Sequence, residues 1–259
     1  MREAREAGLD VVALTDHDTT AGWTAAAEAL SPGQTLVRGL ELSCTRSGIS
    51  LHVLGYLFDP AEPEFAAARR MLRESRLHRA ERMVDLMAAD GHPVTWQQVQ
   101  DLAGGTVGRP HIAQALMAHG LVGSVTEAFT EEWIGSRGRY WVAKAELDVV
   151  DGVRLIVGAG GVAVFAHPAA SKRGRVVGDD VIALMAAAGL AGLEVDHVDH
   201  AESEKAHLRE LAADLGLLTT GSSDFHGENK TVRLGTHLTD EAAYEQIVSQ
   251  ATGLDVLAA

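Results

Sequence analysis

The chain has 259 residues, 46% of them hydrophobic and 22% charged, a composition that suits one large buried core and excludes a disordered polypeptide. Its formal charge of −14 at pH 7 repels long nucleic acid at a distance, so any phosphate ligand must be captured locally, by divalent cations or a small Arg cluster. No apolar run approaches the roughly 18 residues that span a bilayer, Met1 to Glu6 hold no apolar signal core, and the single Cys44 cannot form an internal disulfide, so a cytoplasmic protein without a membrane partner is expected.

In chain order, Arg2 to Ala7 read as the end of a helix closed by Gly8, followed by a strand over Asp10 to Leu14 and a helix over Ala21 to Leu30. Strands over Thr35 to Leu42 and Ile49 to Leu57 come next. From Pro63 to Glu146 the texture is helical: Phe65, Ala68, Met71, Leu72, Met83, Val84 and Met87 recur at helical spacing up to Gly91. Shorter helices are predicted over Trp96 to Leu102, His111 to Ala118 and Val125 to Trp133. Six arginines between Arg69 and Arg82 read as a solvated face, because Glu74 and Glu81 stand among them at pairing distance.

After this stretch the β–α rhythm resumes. Helices are expected over Val149 to Val157, Asp179 to Ala188, Ala201 to Leu215 and Asp240 to Thr252, with strands over Gly161 to Phe165, Gly192 to Val195 and Leu217 to Thr220. Alternating strands and helices imply a parallel sheet, open or closed, whose functional groups gather at strand carboxyl ends. The expected division is residues 1–62 and 147–259 in one α/β body, with 63–146 a helical insertion.

Five segments place His, Asp or Glu in or just after an apolar run: Thr15-Asp16-His17-Asp18, Leu40-Glu41-Leu42-Ser43, Ser50-Leu51-His52-Val53, Phe165-Ala166-His167-Pro168 and Ser223-Asp224-Phe225-His226. Imidazole and carboxylate together suit Mn²⁺, Fe²⁺ and Zn²⁺. Taken singly, each His is more often a satisfied polar residue than a ligand; five of one pattern point to a metal cluster gathered from strand ends. Pro168 predicts extended backbone at His167, and the two-residue spacing of Asp224 and His226 predicts side chains near one face or bend.

With GLELS, LHVLGY, GRPH, AHP and SDFH added to TDHD, the chain resembles the polymerase and histidinol phosphatase (PHP) superfamily of metal-dependent phosphoesterases, in its branch of nucleotide phosphatases and short-RNA 5′-exonucleases. That resemblance implies a distorted (β/α)₇-type barrel holding up to three divalent metals (Mn, Fe or Zn). It implies metal ligation by His17, Glu41, His52, His167, Asp224 and His226, and a substrate that is a small phosphorylated nucleotide or short RNA. The family's His-x-His strand has no counterpart before TDHD, so the first strand is expected to be missing, fewer metals are expected in this chain, and a downstream start codon or truncation is the expected cause.

Gly108-Arg109-Pro110-His111 opens a helix with Pro suited to the first turn and free N–H groups behind it, where Arg109 can fork onto a phosphate. The resemblance implies that Arg109 and His111 face the metals and that His197 and His200 face the leaving group, His197 protonating it. Asp196 stands where the family usually has Tyr. Arg137 and Arg139, beside Tyr140 and Trp141, are expected to clamp a second phosphate and stack a base. The alternatives are histidinol-phosphatase-like or other metal hydrolase chemistry, or a degenerate barrel without activity.

Overall fold

Ser47 and Gly48 turn the chain through a two-residue hairpin with φ of 52° and 69°, the pair of positive values that a type I′ turn requires. The hairpin joins β2 (Thr35–Arg46) to β3 (Ile49–Tyr56), paired antiparallel from Gly39 opposite Tyr56 to Arg46 opposite Ile49. In this computed structural model, which describes residues 1–103, 107–227 and 232–259, the other strands are β1 (Val11–Leu14), β4 (Leu147–Asp148), β5 (Val162–Phe165), β6 (Gly192–Asp196), β7 (Leu218–Gly221) and β8 (Leu257–Ala258). They form one sheet in the order β1-β2-β3-β5-β6-β7, with β4 and β8 each pairing with β2.

The sheet is α/β and curls as a partial barrel, but it is not all parallel. β3 runs antiparallel to both β2 and β5, whereas β1–β2, β5–β6 and β6–β7 are parallel. The physical reason is the hairpin: a two-residue turn cannot return a strand in the same direction, which needs a crossover of a dozen or more residues. Among the described residues β1 and β7 do not pair, so the sheet is open there. β2 is also longer than expected, running four residues past Leu42 because β3 supplies partners to Arg46.

Two compact units divide the chain, one of Met1–Ala67 with Glu146–Ala259, the other of Ala68–Ala145. In the first, the helices are α1 (Arg2–Glu6), α2 (Trp23–Glu28), α7 (Val149–Gly158), α8 (Asp179–Ala187), α9 (Glu202–Leu215) and α10 (Glu241–Gln250). Strand alternation sends Leu42 and Cys44 to one face of β2 and Glu41 and Ser43 to the other. The first face meets α7 so closely that a Cβ on Gly152 would lie 2.6 Å from Cys44 Sγ and 3.3 Å from Leu42 Cδ2. α7 starts at Asp148, whose side chain accepts the Val150 N–H and pairs with Arg46 at 2.9 Å.

The second unit holds most of α3 (Pro63–Ala89), with α4 (Trp96–Ala103), α5 (Arg109–Ala118) and α6 (Val125–Ala128). Its core gathers Met83, Met87, Val99, Ile112, Leu116, Ile134 and Tyr140. α6 ends at Ala128 rather than at Trp133, because the chain turns back there and the Ile134 N–H bonds the Ala128 carbonyl. No helix among the described residues is long and apolar enough to cross a membrane.

Candidate metal centre

The register of β1 on β2 is a constant offset: Val11 faces Thr35, Leu14 faces Arg38, and the same step carried on puts His17 opposite Glu41 as an isolated parallel bridge. Two backbone bonds extend the ladder, Glu41 N–H to Asp16 O at 3.2 Å and Asp18 N–H to Glu41 O at 3.0 Å. Asp18 is buried, with φ at 57°, and its carboxylate accepts the Ser43 N–H at 2.7 Å and the Ser43 hydroxyl at 2.8 Å. The polar tail of the β1 segment is thus pinned onto β2.

Across the hairpin Glu41 faces Leu54, and Ser43 faces His52, so Glu41 and His52 are diagonal neighbours on one face. Strict alternation past β5 would send His167 to the other face, with Leu51 and Val53. Its φ of 32° breaks that alternation and swings the ring back. The extended backbone predicted from Pro168 is therefore overturned, and the strained geometry is held by the His167 N–H donating to Glu194 at 2.7 Å.

The result is a carboxylate ringed by imidazoles. Glu41 Oε1 lies 2.6 Å from His52 Nδ1 and 3.2 Å from His167 Nε2, and Oε2 lies 3.7 Å from His17 Nδ1. His52 Nδ1 and His167 Nε2 face each other at 3.3 Å. Donor atoms of His17, Glu41 and His52 all fall within 4.8 Å of one another. Lone-pair donors converging from three strands fit a divalent cation.

The cluster continues to the β7 end. The His17 and His226 rings are 6.4 Å apart, His226 Nδ1 is 3.3 Å from Asp224 Oδ1, and Asp224 has φ at 46°. Asp224 Oδ2 accepts from Arg173 Nη2 at 2.7 Å, and the same guanidinium donates from Nε to Asp199 at 2.5 Å.

Electrostatics divide two buried carboxyls. Burial would raise the Glu41 pKa, but the charges of His17 and His52 and the hydrogen bonds of His167 and His52 outweigh it and hold the group well below the usual carboxylate range. Glu194 goes the other way: burial, with Glu41 and Asp224 nearby, pushes it up to about 8 against the His167 N–H bond. One site thus holds an ionised carboxylate beside one that keeps its proton near neutrality.

Two residues expected at the leaving group lie in the interior. His197 is fully buried: Nδ1 accepts the Asp199 N–H at 3.0 Å, and Nε2 points at Asp224 Oδ2 at 3.4 Å. Burial, then the Arg173 and His167 charges, lower its pKa against the pull of Asp224. His200 is also buried and spends both ring nitrogens on backbone, Nδ1 on Val195 O at 2.8 Å and Nε2 on the Ala169 N–H at 3.2 Å. It is a strut between β6 and the His167 loop, with no nitrogen left for substrate.

In the second unit, Arg109 donates to Ile134 O at 3.2 Å and lies over the Phe129 ring, while His111 Nδ1 accepts the Gly108 N–H at 3.0 Å. Arg137 is exposed with φ at 66°, and Arg139 pairs with Asp90 at 2.9 Å. Tyr140 is buried, its hydroxyl donating to Asp90, so it is not a stacking surface, whereas Trp141 is 45% exposed. Asp18, Arg173 and Glu194 were missed by sequence reasoning. Only Asp18, next to His17 in TDHD, carried a signal; Glu194 sits inside an apolar strand and Arg173 ends a single 3₁₀ turn, Ser171–Arg173.

No protein-family model matches the chain. Comparison with curated proteins finds it 34% identical to a 3′,5′-nucleoside bisphosphate phosphatase of Chromobacterium violaceum over 238 residues, 89% of this chain and 81% of that protein. It is 31% identical to a 5′-3′ exoribonuclease of Haemophilus influenzae over 234 residues, 89% of this chain and 84% of that one. Among solved structures, one from Bifidobacterium adolescentis assigned as a metal-dependent phosphoesterase superposes with a TM-score of 0.89 at 35% identity, covering 97% of this chain and 89% of that one.

Proposed function

The chain belongs to the polymerase and histidinol phosphatase superfamily of metal-dependent phosphoesterases, and from that premise we propose that it hydrolyses phosphate monoesters of small nucleotides, such as 3′,5′-bisphosphonucleotides, or the 5′ ends of short RNA. The observation that carries the reading is the convergence of His17, His52 and His167 on the Glu41 carboxylate. These four residues, with Asp224 and His226, would hold the divalent ions. Mn²⁺, Fe²⁺ and Zn²⁺ all suit the donor set, and fewer than three ions is our expectation. When bound, such ions supply positive charge against the phosphoryl oxygens and lower the pKa of water.

The chain's own residues prepare that chemistry. Glu41 remains ionised at neutral pH and sets the negative charge of the site. His197 accepts the Asp199 N–H at Nδ1, so its neutral ring carries the proton on Nε2, which faces Asp224 Oδ2 at 3.4 Å. Arg173 ties the same carboxylate to Asp199. Arg109, partly desolvated in its own unit, is the proposed phosphate ligand, with His111 holding the helix end that carries it. A role for Arg137 in binding a second phosphate stays within this proposal.

Release of phosphate from adenosine 3′,5′-bisphosphate and histidinol phosphate, and of a 5′-mononucleotide from a 5′-phosphorylated trinucleotide, each with Mn²⁺, Zn²⁺ or Fe²⁺, tests the reading. Preference for the nucleotides is expected, and His167→Ala should lose bound metal and turnover together. Preference for histidinol phosphate would overturn the substrate class. Unchanged metal content in His167→Ala would remove it from the ligand set.

A further inference from the structure

Between Arg70 and Arg82 an arginine recurs at every third position of α3: Arg70, Arg73, Arg76, Arg79 and Arg82. Side chains at this spacing form one ridge running obliquely round a helix. Arg70, Arg73 and Arg82 are exposed, and Arg82, at 64% side-chain exposure, makes a long 3.9 Å contact with Asp85. This basic ridge is local to its unit. Residues 68–145 carry ten Lys and Arg against eight Asp and Glu, net +2, so the other 181 residues carry −16 of the chain's −14.

A groove of about 540 Å³ lies along this helix, walled on one side by Met71, His78, Arg79 and Arg82, with Glu74 the acidic member, and on the other by Val142 and Ala143. The far wall is fixed where the Ala145 N–H donates to Ser75 Oγ at 2.6 Å. Next in the chain to Val142 stands Trp141, a large aromatic left in solvent. Proteins hold single strands without regard to sequence by cations on the phosphates and aromatic rings under the bases, and a basic groove with an exposed Trp one residue along the chain from its wall offers both groups.

We propose that this face of α3 docks a single-stranded oligoribonucleotide, its phosphodiester backbone along Arg79 and Arg82 and one base on Trp141. The inference rests on the reading of the chain as acting on nucleotides or short RNA, and adds a subsite that a mononucleotide does not need. Local capture of a short strand is compatible with an acidic chain, because the phosphates contact a face whose own charge is positive.

The test uses the full chain and a fluorescein-labelled hexaribonucleotide, with binding read by anisotropy in EDTA so that no hydrolysis intervenes. Each single-strand phosphate contact contributes about 0.7 to the slope of log K against log salt. Arg79→Gln with Arg82→Gln should therefore lower that slope by about 1.4 and weaken binding about 25-fold at 0.1 M salt. Trp141→Ala should weaken it at least about fivefold without altering the slope. Arg154→Gln, in the other unit, is the charge control and should change nothing, as should Arg82→Gln on phosphate release from adenosine 3′,5′-bisphosphate. The proposal is overturned if wild-type chain does not bind the strand, or if the variants bind it with unchanged slope. It is equally overturned if poly-aspartate displaces it while Trp141→Ala is silent, the signature of an acidic protein partner. None of these outcomes touches the mononucleotide assay, so this subsite and the phosphoesterase reading fail separately.

Discussion

Asp18→Ala removes the contact with Ser43 that fixes the polar tail of the β1 segment beside Glu41. The wild-type carboxylate takes two hydrogen bonds from Ser43, 2.7 Å from the N–H and 2.8 Å from the hydroxyl, in a buried setting. Bonds to an ionised group are worth about 1.5–3 kcal/mol each. Alanine at a φ of 57° adds about 1 kcal/mol that Asp and Asn largely escape. Because both bonds share one carboxylate they do not add fully, and the expected loss is about 3–5 kcal/mol. Asp18→Asn keeps an oxygen for the Ser43 N–H and tolerates the backbone, so its loss should be about 1–2 kcal/mol. Urea unfolding of both full-length variants, with unchanged m, reads the difference. Equal losses in the two variants, or less than about 1 kcal/mol for alanine, would refute the carboxylate's role as the pin.

Gly152→Ala should destabilise by about 1–3 kcal/mol through the 2.6 Å approach to Cys44 Sγ. In a Cys44→Ala background the same change should become near neutral, since the helix gains about 1 kcal/mol from Ala over Gly; equal effects in both backgrounds would show that the sulfur is not the obstacle. Arg173→Gln frees Asp224 from Asp199 and should weaken divalent metal binding about 10–100-fold by calorimetry, with Arg173→Lys partly restoring it; unchanged affinity would confine Arg173 to loop structure. The hydrogen bond and charge of Asp179 raise the His207 pKa, so the pair stabilises the fold fully below the ordinary His value of 6.5 and loses that contribution as pH rises through the elevated one. An NMR titration should show the His207 resonance moving down toward 6.5 in Asp179→Asn, with the two proteins' stability gap of at most about 1 kcal/mol shrinking between pH 5.5 and 8.5; a His207 titration unmoved by the substitution would remove the pair.

Strand tips were readable because chemistry at the end of an apolar run breaks the run's own pattern, and His17, Glu41, His52 and His167 meet as that pattern implied. The direction of β3 was readable too, from Ser47-Gly48, but a hairpin turn is two residues among many and the β–α rhythm elsewhere outweighed it. What could not be read is what buried atoms do. His197 and His200 look like solvent-facing residues after a strand, yet both are buried: backbone partners that no spacing reveals take both nitrogens of His200 and Nδ1 of His197, whose Nε2 faces Asp224. His167 was expected extended because proline follows, and a tertiary bond to Glu194 overrode that local preference.

The constant stagger between β1 and β2 makes the polypeptide unevenly permissive to changes of length. Residues from Leu14 to His17 and from Arg38 to Glu41 are counted against each other one for one, so a single insertion in either run would carry the imidazole past its carboxylate. The connection after Asp18 is held again at Trp23, whose indole N–H donates to Gly39 O at 2.9 Å, but from Thr24 to Gln34 it has no strand register to keep. Tinkering by insertion or deletion therefore has a free arena a few residues from a segment in which it has none.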